Sequence, residues 1–392
     1  MATIRQRGDS YQIRVSCGYD TNGKQVIRTK SWKPNANMTA KQIEKELNRQ
    51  AVMFEEACMN GHIVATMKFE DFAHKWFEEY AELKMKPQTI RGYRSLEPRI
   101  YKAIGHLRMD KITPRHIQKF INELHKDKCQ NSQGKAGKTL STKTIKLHIS
   151  LVSCIFEYAI KMQMLQNNPC RNVTFPASDK KEVEIYTLDE VRQLMNLFDK
   201  EADYNFKYVV FFKLALYTGF RRGELLGLEW KDFDWERGIV SVRRTSQWTK
   251  EKGIYTDTPK TKTSFRSLKM PDIVIDLLRQ YKEWQDNYKA SLGTKWIETD
   301  RLFTQAEGKP MDPASPYKYY EEFCKRTGMR FVSPHKFRHL NASMLISQGV
   351  DVKTVQSCLG HTSPTTTLSI YTHAFQEVQA TATNAIARAI NF

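Results

Sequence analysis

The stretch that most constrains how this chain folds is residues 173–185, VTFPASDKKEVEI. Proline, small residues and mixed charge make it an exposed, extended linker. A helical segment ends before it at "NNP", and a new helix begins after it at Thr187, with Glu190 as capping-box partner. A chain of 392 residues has room for two or three domains. The expected division is 1–64, 65–178 and 179–392, with no internal repeat.

The first segment reads as a small sheet and a helix. Tyr11, Ile13, Val15 and Cys17 alternate with Gln12, Arg14 and Ser16, the period-two pattern of a half-buried strand. "DTNGK" is a turn signal and "QVIRTKSW" returns as another strand. Thr39 with Gln42 forms a capping box. Ile43, Leu47, Ala51, Phe54 and Cys58 then step along one helical face until Gly61. A three-stranded sheet backed by one helix is the expectation.

The second segment is helical. Phe69, Phe72, Trp76 and Tyr80 form a stripe, "KPQTIRGYRS" opens another helix, and Thr113 caps a third with Pro114 in its first turn. "KDKCQNSQGKAGKT" reads as a polar loop between helices, and Ser141 caps the helix that follows. The third segment mixes helices with strand-like hairpins around "GIVSVRRTS" and "TSFRSLKMP". "YVVFFKLALY", interrupted by Lys213, is too short to span a bilayer and reads as a buried helix. The fold class is multidomain α+β: a small N-terminal sheet plus helix, an all-α centre, and a mixed, mainly-α third domain.

Charge narrows the function. The chain carries 62 Lys+Arg against 43 Asp+Glu, net +19, which points to a polyanionic partner. Residues 65–178 hold 20 basic and 10 acidic side chains, net +10, against net +4 for residues 1–64 and +5 for the rest. The centre is the expected DNA grip. Seven scattered cysteines form neither a disulfide framework nor a paired zinc motif, so reduced thiols in the cytoplasm are expected. The N-terminus lacks the apolar core of a signal peptide.

Four stretches of the third segment carry chemistry together. "TGFRRGELLGLEW" sets Arg221 after a glycine turn, with Glu224 one helical turn later. "TPKTKTSFRSLKMP" offers Lys260 and Lys262 on a hairpin turn. "SPHKFRHLNA" puts His335 and Arg338 on one helical face, and "LGHTSPTTTLSIYTHAF" supplies His361 and Tyr371. Each alone has a bland reading: a structural salt bridge, solvated lysines, capping hydroxyls, a tyrosine at a core edge. A zinc site at "HKFRH" fails because the general-base Glu is missing and Arg338 sits beside His339. Two Arg, a Lys, two His and a Tyr without metal ligands suit phosphoryl transfer. The arginines neutralise phosphate oxygens, cations lower a phenol pKa from about 10, and a Lys or His protonates a leaving oxygen. No cofactor or metal is expected.

The ordered set resembles the boxes of the tyrosine recombinases, the lambda-integrase family, and in particular integrases of phages and conjugative transposons. The family pattern is an Arg in TGxRxxE, a β-hairpin Lys, His-x-x-Arg, then LGH followed about ten residues later by the nucleophilic Tyr. Arg221, Lys262, His335, Arg338, His361 and Tyr371 match it in that order. Lys260 lies two residues from Lys262 on the same strand face; the distance to "SLKMP" favours Lys262. Phe337 and Leu340 depart from the usual Leu and Thr without touching a catalytic position.

The resemblance implies that Tyr371 attacks a scissile phosphate to form a 3′-phosphotyrosine, releasing a 5′-hydroxyl. Arg221 and Arg338 would clamp the non-bridging oxygens and Lys262 would protonate the leaving oxygen. His335 would act as base and acid, and His361 would support the phosphate. It also implies core- and arm-type double-stranded DNA sites and a homo-tetramer on DNA, and the "VQATATNAIARAI" stripe would dock on a neighbour. An excisionase and a DNA-bending host protein are further candidate partners; a membrane is not. A type IB topoisomerase shares the chemistry but not the arm-like N-terminus. A DNA-binding regulator with a decayed site conflicts with all six positions being filled.

Overall fold

The computed structural model describes residues 2–19, 23–35, 37–59, 67–130, 136–177, 184–258 and 265–360. The chain divides into two compact units, Met1–Lys180 and Lys181–Phe392. In the first, β1 (Thr3–Arg7), β2 (Ser10–Tyr19) and β3 (Gln25–Trp32) form an antiparallel sheet in that order. Period two sorts its faces: Ile13 and Val15 are buried, and Ile13 packs with Leu47 and Ala51 of helix α1 (Ala40–Met59). The other face is polar, because cross-strand pairing aligns Arg5 with Gln12 and Arg14 with Thr29. The expected box at Thr39 is present in one direction: Gln42 Oε1 accepts from the Thr39 N–H at 2.9 Å.

The helical part of this unit has its own core. Helix α2 (Phe69–Trp76) buries Phe69, Phe72 and Trp76, then widens into a π-helical turn over Phe77–Ala81. The extra residue per turn rotates the buried face, so Phe77 and Ala81 are fully buried while Tyr80, the expected next member of the stripe, is only half-buried. Helix α3 (Pro87–Arg94) follows, then α4 (Pro114–Lys126) and α5 (Thr142–Lys161). Thr113 precedes α4 with Pro114 at its first position, and His116 Nδ1, not a carboxylate, accepts from the Thr113 N–H at 3.1 Å. Ser141 Oγ accepts from the Thr144 N–H at 3.2 Å, as a cap should.

One expectation is corrected between α4 and α5. The segment read as a loop holds two short antiparallel strands, β4 (Lys128–Gln130) and β5 (Ala136–Thr139). Backbone pairing makes this hairpin, and its Lys, Gln, Gly and Thr residues carry no apolar alternation by which to read it.

In the second unit, α6 (Leu188–Thr218) starts with the Thr187–Glu190 box and ends at Gly219. Asn205, at φ −132°, breaks its helical geometry midway. Its second half buries Val209 to Phe212 and Leu214 to Leu216 in a core with Phe198, Tyr281, Phe303, Tyr320, Phe323 and Phe337. Helix α7 (Arg222–Gly227) leads to β6 (Phe233–Asp234), β7 (Ile239–Val242), β8 (Thr245–Thr249), β9 (Gly253–Asp257) and β10 (Arg266–Lys269). Helices α8 (Asp272–Leu292), α9 (Ser315–Thr327), α10 (Lys336–Ser347) and α11 (Val352–Leu359) complete the described unit.

Among the described strands, β8 pairs with β9 and β10 pairs with β7. The tight turn lies at Lys250–Lys252, before Gly253 at φ +64°. Lys260 and Lys262 fall between β9 and β10, outside the described residues. No helix among the described residues is long and apolar enough to cross a membrane. The six cysteines described are free thiols.

Candidate active site

The site is built on the end of α6. Thr218 Oγ1 donates to the Leu214 carbonyl at 2.7 Å and accepts from the Phe220 N–H at 3.1 Å. Asn341 Nδ2 donates to the Leu216 and Tyr217 carbonyls at 2.7 and 3.1 Å, satisfying acceptors that a helix end leaves open. Gly219 then reverses the chain at φ +62°. A Cβ there would stand 2.4 Å from Leu359 Cδ2 and 2.8 Å from Asn341 Oδ1, so both conformation and space require glycine.

The reversal makes Arg221 the residue that precedes α7. Glu224, in the first turn, accepts from the Arg221 backbone N–H at 2.9 Å and from Arg221 Nη1 at 2.7 Å. The two side chains differ in exposure, 39% for Arg221 and 1% for Glu224. The buried carboxylate therefore anchors a guanidinium whose other side faces solvent. A second cation meets Glu224 from β10: Arg266 Nη2 lies 2.8 Å from Oε2, and the Arg266 side chain is 7% exposed. Burial pushes the Glu224 carboxyl up, but the hydrogen bond and charge of Arg266, then Arg221, hold it below the usual range.

His335 and Arg338 enter with α10. His335 sits at its start, and Phe337 turns into the core against Phe212 and Tyr320. Three residues along one face, Arg338 is 3% exposed. It donates from Nη1 to the Gly219 carbonyl at 2.8 Å and from Nη2 to the Leu359 carbonyl at 2.6 Å. Burial lowers the His335 pKa, and the charges of Arg338, Arg221 and Arg222 lower it further, so its imidazole is neutral at pH 7. His339 stacks edge-on against it at 5.3 Å and is pushed down to about 4, chiefly by burial.

Three arginines converge on the last turn of α11. Arg266 Nε donates to the Cys358 carbonyl at 2.7 Å, Arg338 to Leu359 and Arg221 Nη2 to Gly360 at 3.2 Å. Carbonyls at a helix C-terminus lack intrahelical partners and carry the negative end of the dipole, which favours cations there. The structure thus brings Arg221, His335 and Arg338 together; His361 and Tyr371 follow this turn, outside the described residues with Lys262. Arg266 and Asn341 escaped the sequence reading. For Arg266 the only available signal was an arginine in a short strand pattern beside a candidate lysine. A buried carboxylate amid arginines leaves a net cationic surface suited to an anion such as phosphate.

Comparison with known proteins bears on family and fold. A profile described as "Phage integrase family" matches residues 184–377, and one for the phage integrase N-terminal SAM-like domain matches residues 68–125. A tyrosine recombinase XerC-like protein of Caldanaerobacter subterraneus is 28% identical over 97% of this chain and 96% of its own. The ICEBs1 integrase of Bacillus subtilis is 27% identical over 97% of each. Among solved structures, the Tn1549 transposon integrase in complex with a circular intermediate DNA superposes with a TM-score of 0.66 at 20% identity, over 81% of this chain and 99% of that one. A lambda integrase dimer bound to a core site gives 0.54 at 17% identity over 94% of each. The matches span both units and share one fold, and the chain belongs to the phage integrase family of tyrosine recombinases.

Proposed function

We propose that this chain is a site-specific DNA recombinase, the integrase of a mobile element, that cuts and rejoins DNA through a 3′-phosphotyrosine at Tyr371. The observation that carries the reading is the convergence of Arg221 and Arg338 on the last turn of α11, with His335 close enough to feel both charges, ten residues or so before that tyrosine. Arg221, half-exposed and braced by Glu224, would grip a non-bridging phosphate oxygen. Arg338 shares the role from a buried position, where the Gly219 and Leu359 carbonyls orient its guanidinium. Neutral His335 suits a base that takes the phenol proton and returns it on religation. Lys262 protonates the 5′-oxygen, and His361 steadies the phosphate. The phosphotyrosine conserves the bond energy, so the reaction needs no ATP, metal or cofactor.

The division of labour follows the charge. Residues 65–178, net +10, and the catalytic domain 179–392 would clamp core-type DNA, while the polar sheet face of residues 1–64, with Arg5, Gln12 and Arg14, would read a separate arm-type site. A lambda integrase tetramer bound to a Holliday junction, with a TM-score of 0.54, supports the same assembly for this chain, its C-terminal stripe docking on a neighbour. An excisionase and a DNA-bending host protein would set direction, in the cytoplasm. The test is a suicide substrate. Wild type should form a covalent adduct and Tyr371→Phe should bind without forming one; adduct from the Phe variant would refute the nucleophile.

A further inference from the structure

Arg266 lies in the stretch TPKTKTSFRSLKMP but fills none of the six matched positions, yet it touches several parts of the site. It is the first residue of β10, directly downstream of the connection that carries Lys260 and Lys262. Its guanidinium lies 4.6 Å from the centre of the Phe220 ring, beside the Gly219 reversal. Nη2 reaches Glu224 on α7 and Nε reaches the Cys358 carbonyl on α11. One side chain thereby links β10, the turn before Arg221, the carboxylate that holds Arg221, and the helix end that precedes His361 and Tyr371 in sequence. Its side chain is 7% exposed, with Nε and Nη2 both turned to protein partners.

We propose that Arg266 is a positioning residue for strand cleavage: it fixes Glu224, and through Glu224 the orientation of Arg221, relative to the last turn of α11. The inference rests on the recombinase reading. Its logic is geometric. Glu224 has two carboxylate oxygens: Oε1 takes Arg221 Nη1, while Oε2 takes the Arg221 N–H and Arg266 Nη2. Among the described residues, the charged groups facing that carboxylate are Arg221 from beside its own helix start and Arg266 from β10; Arg266 in turn meets the Cys358 carbonyl of α11 and the neutral Phe220 ring beyond Gly219. Without Arg266, a fully buried carboxylate keeps one cation, and that cation is the one that must also serve the phosphate. A lysine restores charge but, as a point donor, does not hold Glu224 and the Cys358 carbonyl in one plane.

The experiment measures single-turnover covalent-complex formation on a suicide core-site duplex from pH 5 to 9, for the full chain as wild type, R266A, R266K, and R266A on an E224Q background. R266A should slow adduct formation roughly 10- to 100-fold at pH 7, the range that one or two charge-assisted hydrogen bonds represent. Its acid limb should also move up by about one pH unit or more, because Glu224 now protonates more easily. R266K should be slower than wild type with the limb left in place. In the E224Q background the limb shift should vanish, since glutamine does not ionise. R266A with a wild-type rate, or slowed without a moved limb, overturns the proposal. If R266A fails to melt cooperatively, R266K decides: wild-type rate and limb in that variant overturn it. Absence of adduct from wild type, or adduct from Tyr371→Phe, would instead sink the recombinase reading.

Discussion

Gly219→Ala is the sharpest test of how the site is assembled. The added Cβ meets Leu359 Cδ2 at 2.4 Å and Asn341 Oδ1 at 2.8 Å, and the residue must hold φ +62°. The left-handed conformation costs an L-residue about 1–2 kcal/mol, and overpacking a buried site adds roughly 1–3 kcal/mol, for a total of about 2–5 kcal/mol. Leu359 is fully buried with Ala342, Ile346 and Val355, so it cannot swing into solvent to relieve the clash. Its displacement would also carry away the carbonyl that Arg338 holds. Urea unfolding followed by tryptophan fluorescence suits the measurement, because five of the seven tryptophans (230, 235, 248, 284, 296) lie in the second unit. Leu359→Ala alone should cost about 2–5 kcal/mol through its cavity. On that background Gly219→Ala should cost only the backbone term and the Asn341 contact, a coupling of about 1–3 kcal/mol. Equal cost on both backgrounds, or a single-mutant cost under about 0.5 kcal/mol, would refute the packing argument.

Two further outcomes follow from the proposed chemistry and division of labour. A 5′-bridging sulfur leaves without a proton, so it should rescue cleavage by Lys262→Ala; rescue of Lys260→Ala instead would move the general acid two residues upstream. Deleting residues 1–64 should preserve core-site binding with its steep salt dependence and abolish arm-site binding, measured as affinity for each duplex across a salt series. Unchanged arm-site affinity after truncation would remove the sheet from DNA recognition.

Much of the fold is legible because it rests on local signals. The strand at residues 10–19 reads from strict alternation. The caps at Thr39, Thr113, Ser141 and Thr187 read from residue type and from a partner or proline close by, all within one helical turn. What escapes is nonlocal or purely backbone. The π-helical turn at Phe77–Ala81 leaves no trace in composition, and it alone decides that Phe77, not Tyr80, completes the buried face. The β4–β5 hairpin and the pairing of β10 with β7 depend on which backbone groups meet, which alternating polar residues do not encode.

The site divides along the same line. Arg221 just before α7 and Glu224 in its first turn are three residues apart, so their pairing follows from spacing, and the bland reading of a structural salt bridge is correct for Glu224. The spacing does not show that Glu224 is buried with two cations, the second arriving from 42 residues away. Little distinguishes Arg266 in sequence among 62 basic residues. Only the fold makes it special, by closing β10 onto α7 and α11 and excluding water from its guanidinium. Removing one partner from a buried ion pair typically costs about 3–5 kcal/mol, whereas an exposed pair such as Arg192–Asp189 is worth about 0–1 kcal/mol. The same residue type therefore carries opposite weight in two places on this chain, and burial, which no residue pattern around position 266 announces, decides between them.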